Sequence, residues 1–484
     1  MNSTKVQRLK DWLEIPCEND RTKTKAFISE VLHVTNDPDK GRCIVTGEEV
    51  QASTNLIKIP KKFLLNYLNI LKFLSPFNQN ALAFLKKNIT NFDVRVFDTP
   101  QDAITVLYSK LDFDRLLKLT SHQLLVLYIC LEKKRGKNSF WQPLLDCFPN
   151  LGEYEGIPMT WNLRNSPPVS KKIYNLLPRS CILHSKKQIE QFYNDIHQIS
   201  SISGNLELGI KEEEYLWAWL AVNTRCLYYK LHSCLPIGKT KFKEESSITM
   251  VPFVDYINHK TMDSNAIAKE AKSGYEVDSI DGIQKDEHVW FSYGPHDDTF
   301  LQCEYGFSTS ELNYMSSNDY SYKCFNPYNT VNISEIVKKL LSLPKKKNVV
   351  EWLKQVGYYD DYTLGIDDTR LLGGKINVSV HPSFRTRIVL ASLIEAESEF
   401  TFNELQRSYV CPARLEKFYQ GLTEGEYYLT TEKVLLKKIL SKLETELKDR
   451  LTSVLSFKVD SSVESKITTC RKLLLDELFI ITSY

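Results

Sequence analysis

Met250-Val251-Pro252-Phe253-Val254-Asp255-Tyr256-Ile257-Asn258-His259 is the most informative segment of this 484-residue chain. Its counterpart is Val289-Trp290-Phe291-Ser292-Tyr293-Gly294, followed twelve residues after Tyr293 by Tyr305-Gly306-Phe307. Asp255, Asn258 and His259 follow an apolar run, so they are expected at the buried end of a strand, where each polar group needs a partner in the fold or in a ligand. Between the two poles, Asn265 to Ala268 and Tyr275 to Ile280 have the pattern of short strands. No other stretch concentrates so many polar side chains in apolar settings.

Around this segment the composition is that of an ordinary globular chain, 42% hydrophobic and 25% charged, and its length predicts two or three domains with an ample core. The formal charge of +2 offers no net field for nucleic acid, so no direct nucleic-acid partner is expected. Met1 to Lys10 is polar and basic with no apolar run behind it, which predicts no secretion. The longest apolar run, Leu124 to Leu131, is far short of a membrane span. Eleven cysteines without a C-x-x-C pair read as reduced thiols rather than disulfides or a metal site.

The paired elements DYINH and YG with YGF resemble the two core motifs of SET-domain methyltransferases, which transfer a methyl group from S-adenosyl-L-methionine to lysine. Leu216-Trp217-Ala218-Trp219-Leu220-Ala221-Val222-Asn223-Thr224-Arg225 and Ser139-Phe140-Trp141-Gln142-Pro143 narrow the resemblance to the Rubisco large-subunit methyltransferase type. It runs by motif from about Gly41 to Phe307, and beyond by length and helical pattern. The implied fold class is α+β, a SET-domain β core split by a helical insert and followed by an all-α C-terminal substrate-binding domain. The expected parts are 1–60 (an N-terminal helix and the first SET strands), 61–244 (the insert), 245–320 (the second half of SET, with both motifs) and 321–484 (the helical domain). Many histone-directed members carry a zinc-bound cysteine cluster after YGF; here only Cys324 follows within a hundred residues, so no metal is expected.

Local patterns fill in these parts. Val6, Leu9, Trp12 and Leu13 share one face of an N-terminal helix, while Gly41 to Thr46 and Asn55 to Ile59 read as strands. Helical spacing runs from Lys61 to about Leu231, with Ser121 ahead of one apolar stripe and Ser185 with Gln188 as a capping box ahead of another. It returns in Ile333 to Leu343, Val349 to Val356, Phe384 to Phe400, Val434 to Leu455 and Val463 to Phe479.

Methyl transfer to an amine is an in-line displacement for which the protein supplies positioning, a dry site and placed polar groups. The acceptor ammonium must first lose its proton, which burial beside a sulfonium favours. By resemblance Tyr293 is the catalytic tyrosine that orients the amine. Lys40, Gly41, Arg42, Arg225, Asn258, His259 and Tyr305 contact the cofactor, and Asp255, Tyr275 and Phe307 line the substrate channel. Read from the residues alone, Gly41 is a plain hairpin turn, Arg225 a partner of a nearby carboxylate, Tyr293 a core tyrosine and His259 a structural histidine. With the resemblance, Arg225 becomes the bidentate partner of the cofactor's carboxylate. Where the family often has an asparagine after YG, this chain has Asp297-Asp298, two acids that would help to attract an incoming lysine.

The implied activity is methylation of lysine in a non-histone protein, by likeness to the fungal ribosomal-protein methyltransferases a ribosomal protein, with a translation elongation factor second. Protein-histidine methylation and a catalytically silent SET binding module are the other readings. A monomer without membrane contact is expected, in the cytoplasm and also the nucleus.

Overall fold

The computed structural model describes residues 3–15, 25–89, 101–203, 208–231, 247–271, 273–314, 320–372, 375–458 and 463–484. They form two compact units, one of residues 1–155 with 187–295, the other of 156–186 with 296–484. The division differs from the expected boundary after 320: Tyr305-Gly306-Phe307 belongs to the second unit, and so does a segment from the middle of the insert.

The first unit carries the strands. Leu32–Asp37 and Gly41–Thr46 form an antiparallel hairpin in which Asp37 pairs with Gly41. The Asp37 carboxylate accepts from the N–H groups of Asp39 and Lys40, each at 2.8 Å, and Gly41 takes φ +70° to complete the turn. A second sheet runs Phe27–Ile28, Asn55–Pro60, Gly274–Ser279, Ala266–Ala271, with antiparallel neighbours. Asn258–His259 pairs in parallel with Trp290–Phe291, bringing the two halves of the long motif side by side. Helices fill most of the stretch between, as the periodicity predicts. In Ser121–Arg135, Thr120 and Gln123 form the capping box, so Ser121 is the first helical residue rather than the cap. Ser185 caps nothing either: it lies inside Arg179–Ser203, where its hydroxyl donates back to the Cys181 carbonyl at 2.7 Å.

The second unit has a core in which Trp161, Ile173, Tyr174, Leu177 and Cys181 join apolar residues from Val331 through Ile481. Helices Ser334–Leu341, Lys347–Gln355, Phe384–Ile394, Leu429–Leu455 and Glu464–Ser483 match the expected stripes. The expectation of an all-helical region is corrected by a three-stranded sheet of Val331–Asn332, Thr363–Leu372 and Lys375–Pro382, with two further hairpins. Ile366, Ile376, Val378 and Val380 lay their β-branched side chains against that core, an alternating pattern that helical periodicity hides. Cys17 and Cys234 lie outside the described residues; the other nine cysteines are free thiols, and all but Cys226 and Cys324 are buried. Among the described residues no group of three or more His, Cys, Asp or Glu side chains is placed to hold a metal ion.

Candidate active site

In the first unit Asn258, His259, Tyr293 and the turn at Lys40 come together at the parallel pair of short strands. The Asn258 amide donates to the Lys40 carbonyl at 3.1 Å, which ties the hairpin turn to the strand that carries Asn258 and His259. The Gly41 turn is thus both a hairpin and part of the site's frame. Arg42 points elsewhere: its guanidinium donates to the Cys147 carbonyl at 2.7 Å and pairs with Glu153.

Arg225 ends the helix Glu212–Arg225 and meets Asp255, Nη1 to Oδ2, at 2.6 Å; their side chains are only 12% and 7% exposed. Burial works against the Arg225 charge, but Asp255 and Tyr154 beside it outweigh that and hold the guanidinium above its ordinary range. The sequence left two readings open here, and the geometry gives the carboxylate pair. Yet each partner keeps a buried atom without a hydrogen bond among the described residues, Arg225 Nε and Asp255 Oδ1. Tyr154 stands beside Arg225, its own hydroxyl buried, so the pair sits in a closed polar pocket of the first unit. The approach to Asp255 is strained: Phe253, fully buried, sits at φ +70°, ψ −39° ahead of the short turn Val254–Tyr256.

Tyr293 is fixed from two sides. Its N–H donates to His259 Nδ1 at 2.9 Å and its hydroxyl to the Ile257 carbonyl at 3.0 Å. The first bond requires Nδ1 to be unprotonated, so the neutral ring carries its hydrogen on Nε2, 3.3 Å from the Thr261 hydroxyl. His259, 5% exposed, therefore braces Tyr293 rather than sitting as a base. Asn265 adds a second brace, accepting from the Trp290 N–H at 2.8 Å and donating to the His288 carbonyl at 2.9 Å.

Tyr275 is not part of this cluster. It lies in the second sheet opposite Ile59 and Glu270, its ring 6.4 Å from that of Tyr229, and burial pushes its hydroxyl up to about 12. In the second unit Tyr305 closes the helix Asp298–Tyr305, Gly306 caps it at φ +85°, and the Tyr305 and Phe307 rings lie 6.0 Å apart. Asp297 and Asp298 do not form an acidic lure. Asp297 caps the helix, accepting from the Phe300 N–H at 2.7 Å and the Thr330 hydroxyl at 3.0 Å, and Asp298 is 1% exposed. Tyr154, Glu153 and Phe253 were missed by the sequence reading. Only the N-x-x-E cap of Asn150 and Glu153 carried a signal, and it pointed to a helix start rather than to Arg42.

Residues 329–484 match the family model of the ribosomal lysine N-methyltransferase 2 C-terminal domain. The chain is 24% identical to ribosomal lysine N-methyltransferase 2 of Saccharomyces cerevisiae over 91% of its own length and 90% of the relative's. To ribosomal lysine N-methyltransferase set11 of Schizosaccharomyces pombe it is 22% identical over 86% and 84%. To human SET domain-containing protein 4 it is 26% identical over 50% and 51%. Among solved structures it is similar to the SET domain of LSMT bound to lysine and AdoHcy, with a TM-score of 0.56, 12% identity, 99% of this chain and 90% of that one covered. Rubisco LSMT bound to AdoMet follows at 0.54, with 13% identity and the same coverage. The chain has the SET fold of those structures.

Proposed function

We propose that this chain is an S-adenosyl-L-methionine-dependent methyltransferase acting on the side-chain amine of a lysine in a ribosomal protein. The observation that carries this is Tyr293, held on the strand pair that joins the two motifs by its hydroxyl on the Ile257 carbonyl and its N–H on His259 Nδ1, in a chain with the SET fold. When bound, S-adenosyl-L-methionine supplies an electrophilic methyl group on a sulfonium. By the resemblance, Arg225 and Asn258 would hold its amino-acid end, with the Lys40–Gly41 turn beside them. A hydroxyl whose hydrogen is committed to the Ile257 carbonyl can only accept from a second group, so Tyr293 takes a hydrogen bond from the incoming amine and aims its lone pair. No base is required of the chain, since desolvation beside a positive charge lowers the amine's pKa. By the resemblance Tyr305 contacts the cofactor and Phe307 and Tyr275 line the substrate channel.

We further propose a monomer working in the cytoplasm with access to the nucleus, without nucleic-acid or membrane partners. The near-neutral charge speaks against a nucleic-acid partner, and among the described residues no helix is long and apolar enough to cross a membrane. Incubation with labelled donor and cell extract, followed by mapping of the label by mass spectrometry, tests the reading. The expected result is a methylated lysine in a ribosomal protein. Label on an elongation factor or on a histidine would replace the acceptor, and no label at all would favour a silent binding module.

A further inference from the structure

We propose that Asp298 is a positioning residue that holds Tyr305-Gly306-Phe307 in place by closing residues 298–310 into a ring. Its Oδ1 accepts from the Thr309 N–H at 2.6 Å, the Thr309 hydroxyl at 3.0 Å and the Asn326 amide at 3.2 Å. Its Oδ2 accepts from the Ser310 N–H at 3.1 Å, the Ser310 hydroxyl, and the Asn329 amide at 3.1 Å. Its own N–H donates to Asn329 Oδ1 at 2.7 Å. The start of the helix is thereby joined to the two residues that lie just past the YGF turn.

The far side of the ring is pinned as well. Gly306 donates to the Leu301 and Gln302 carbonyls, and the Gln302 amide donates to the Gly156 carbonyl at 2.7 Å. A Cβ at Gly156 would come within 2.7 Å of the Gly306 carbonyl oxygen, so the two glycines meet backbone to backbone. Tyr305 and Phe307 hang on a turn fixed at both ends, with Glu304 beside them paired to His184 and the Asp298 carboxylate closing the ring. A carboxylate is needed there: an asparagine has one acceptor oxygen, and its NH₂ would face N–H and O–H donors already aimed at Oδ2. Burial alone would raise the Asp298 pKa, but Lys472 and the donors from Ser310, Thr309 and Asn329 reverse this and keep it ionised.

The inference rests on the proposed role of Tyr305, and a double-mutant cycle separates the two. Turnover would be measured for Asp298→Asn, Tyr305→Phe and the pair, with labelled donor at saturation and acid-extracted ribosomal protein as acceptor, at a temperature where circular dichroism shows each chain folded. Each single change is expected to lower kcat about tenfold. The double variant should fall no further than the slower single, because both changes act through one ring position. Tyr305→Phe at the wild-type rate would remove the role of Tyr305 and the inference with it. A slow Tyr305→Phe whose loss multiplies with that of Asp298→Asn would overturn the inference alone, as would Asp298→Asn at full rate. Should Asp298→Asn not fold, Ser310→Ala takes its place in the same cycle. It removes one hydroxyl from Oδ2, and the expected loss is about threefold and equally non-additive; full rate or a multiplying loss again overturns the proposal.

Discussion

Taking the hydroxyl from Tyr293 removes one hydrogen bond to Ile257 and, on the proposed mechanism, the acceptor that aims the amine. Tyr293→Phe is expected to cost about 1 kcal/mol of stability while kcat falls about 10²-fold; calorimetry beside a rate assay reads both, and a normal rate would return Tyr293 to the core. Arg225 behaves differently, because its removal strands a buried carboxylate. Arg225→Ala should destabilise by about 3–5 kcal/mol, and adding Asp255→Ala should recover much of that loss. Thermal melts of the two variants check it: a double variant no more stable than the single would mean that the pair is not coupled. Both proteins should also lose the rise in melting temperature that the demethylated cofactor gives the wild type.

At the level of elements, the helix Glu464–Ser483 buries two acids. Burial, with Asp298 nearby, pushes Asp476 up to about 8, and burial pushes Glu477 up to about 7. Both carboxyls are held above their unfolded values, so the folded state keeps protons that the unfolded state has released. Their contribution is full below about pH 4 and is lost as pH rises toward 8. Asp476→Asn, which still accepts from the Tyr322 hydroxyl, should flatten that decline and leave the variant more stable than wild type above pH 8; denaturant melts across pH 5 to 9 measure it. An unchanged slope would show that another group titrates. What the sequence revealed at this scale follows from range. Helical stripes and the Gly41 turn are local patterns, and the Asn258-His259 and Tyr293 pieces announce themselves by polar residues on an apolar run. Tyr154 beside Arg225, and Asn265 bridging His288 and Trp290, involve partners far apart in sequence and leave no periodic trace. The same holds for the Asp298 ring, whose acids read as surface charge until the donors from Asn326 and Asn329 are in view.

For the whole molecule, the core of the second unit forbids a simple cut. A chain ending at residue 326 keeps Trp161, Ile173, Tyr174 and Leu177 but loses nearly all that covers them. Such a chain is expected to aggregate on size-exclusion rather than to persist as a donor-binding SET fragment, and a monodisperse fragment with native-like circular dichroism would contradict this. The same arrangement bears on how the protein comes to exist. Chain growth exposes the 156–186 segment roughly 300 residues before the last of its partners, Ile481, has left the peptidyl-transferase centre; at 5–20 residues per second that delay is on the order of 15 s to a minute. Through that interval a tryptophan, a tyrosine and an isoleucine await their covering, so yield in a heterologous host should depend on holdase chaperones and growth temperature more than on the finished fold's stability.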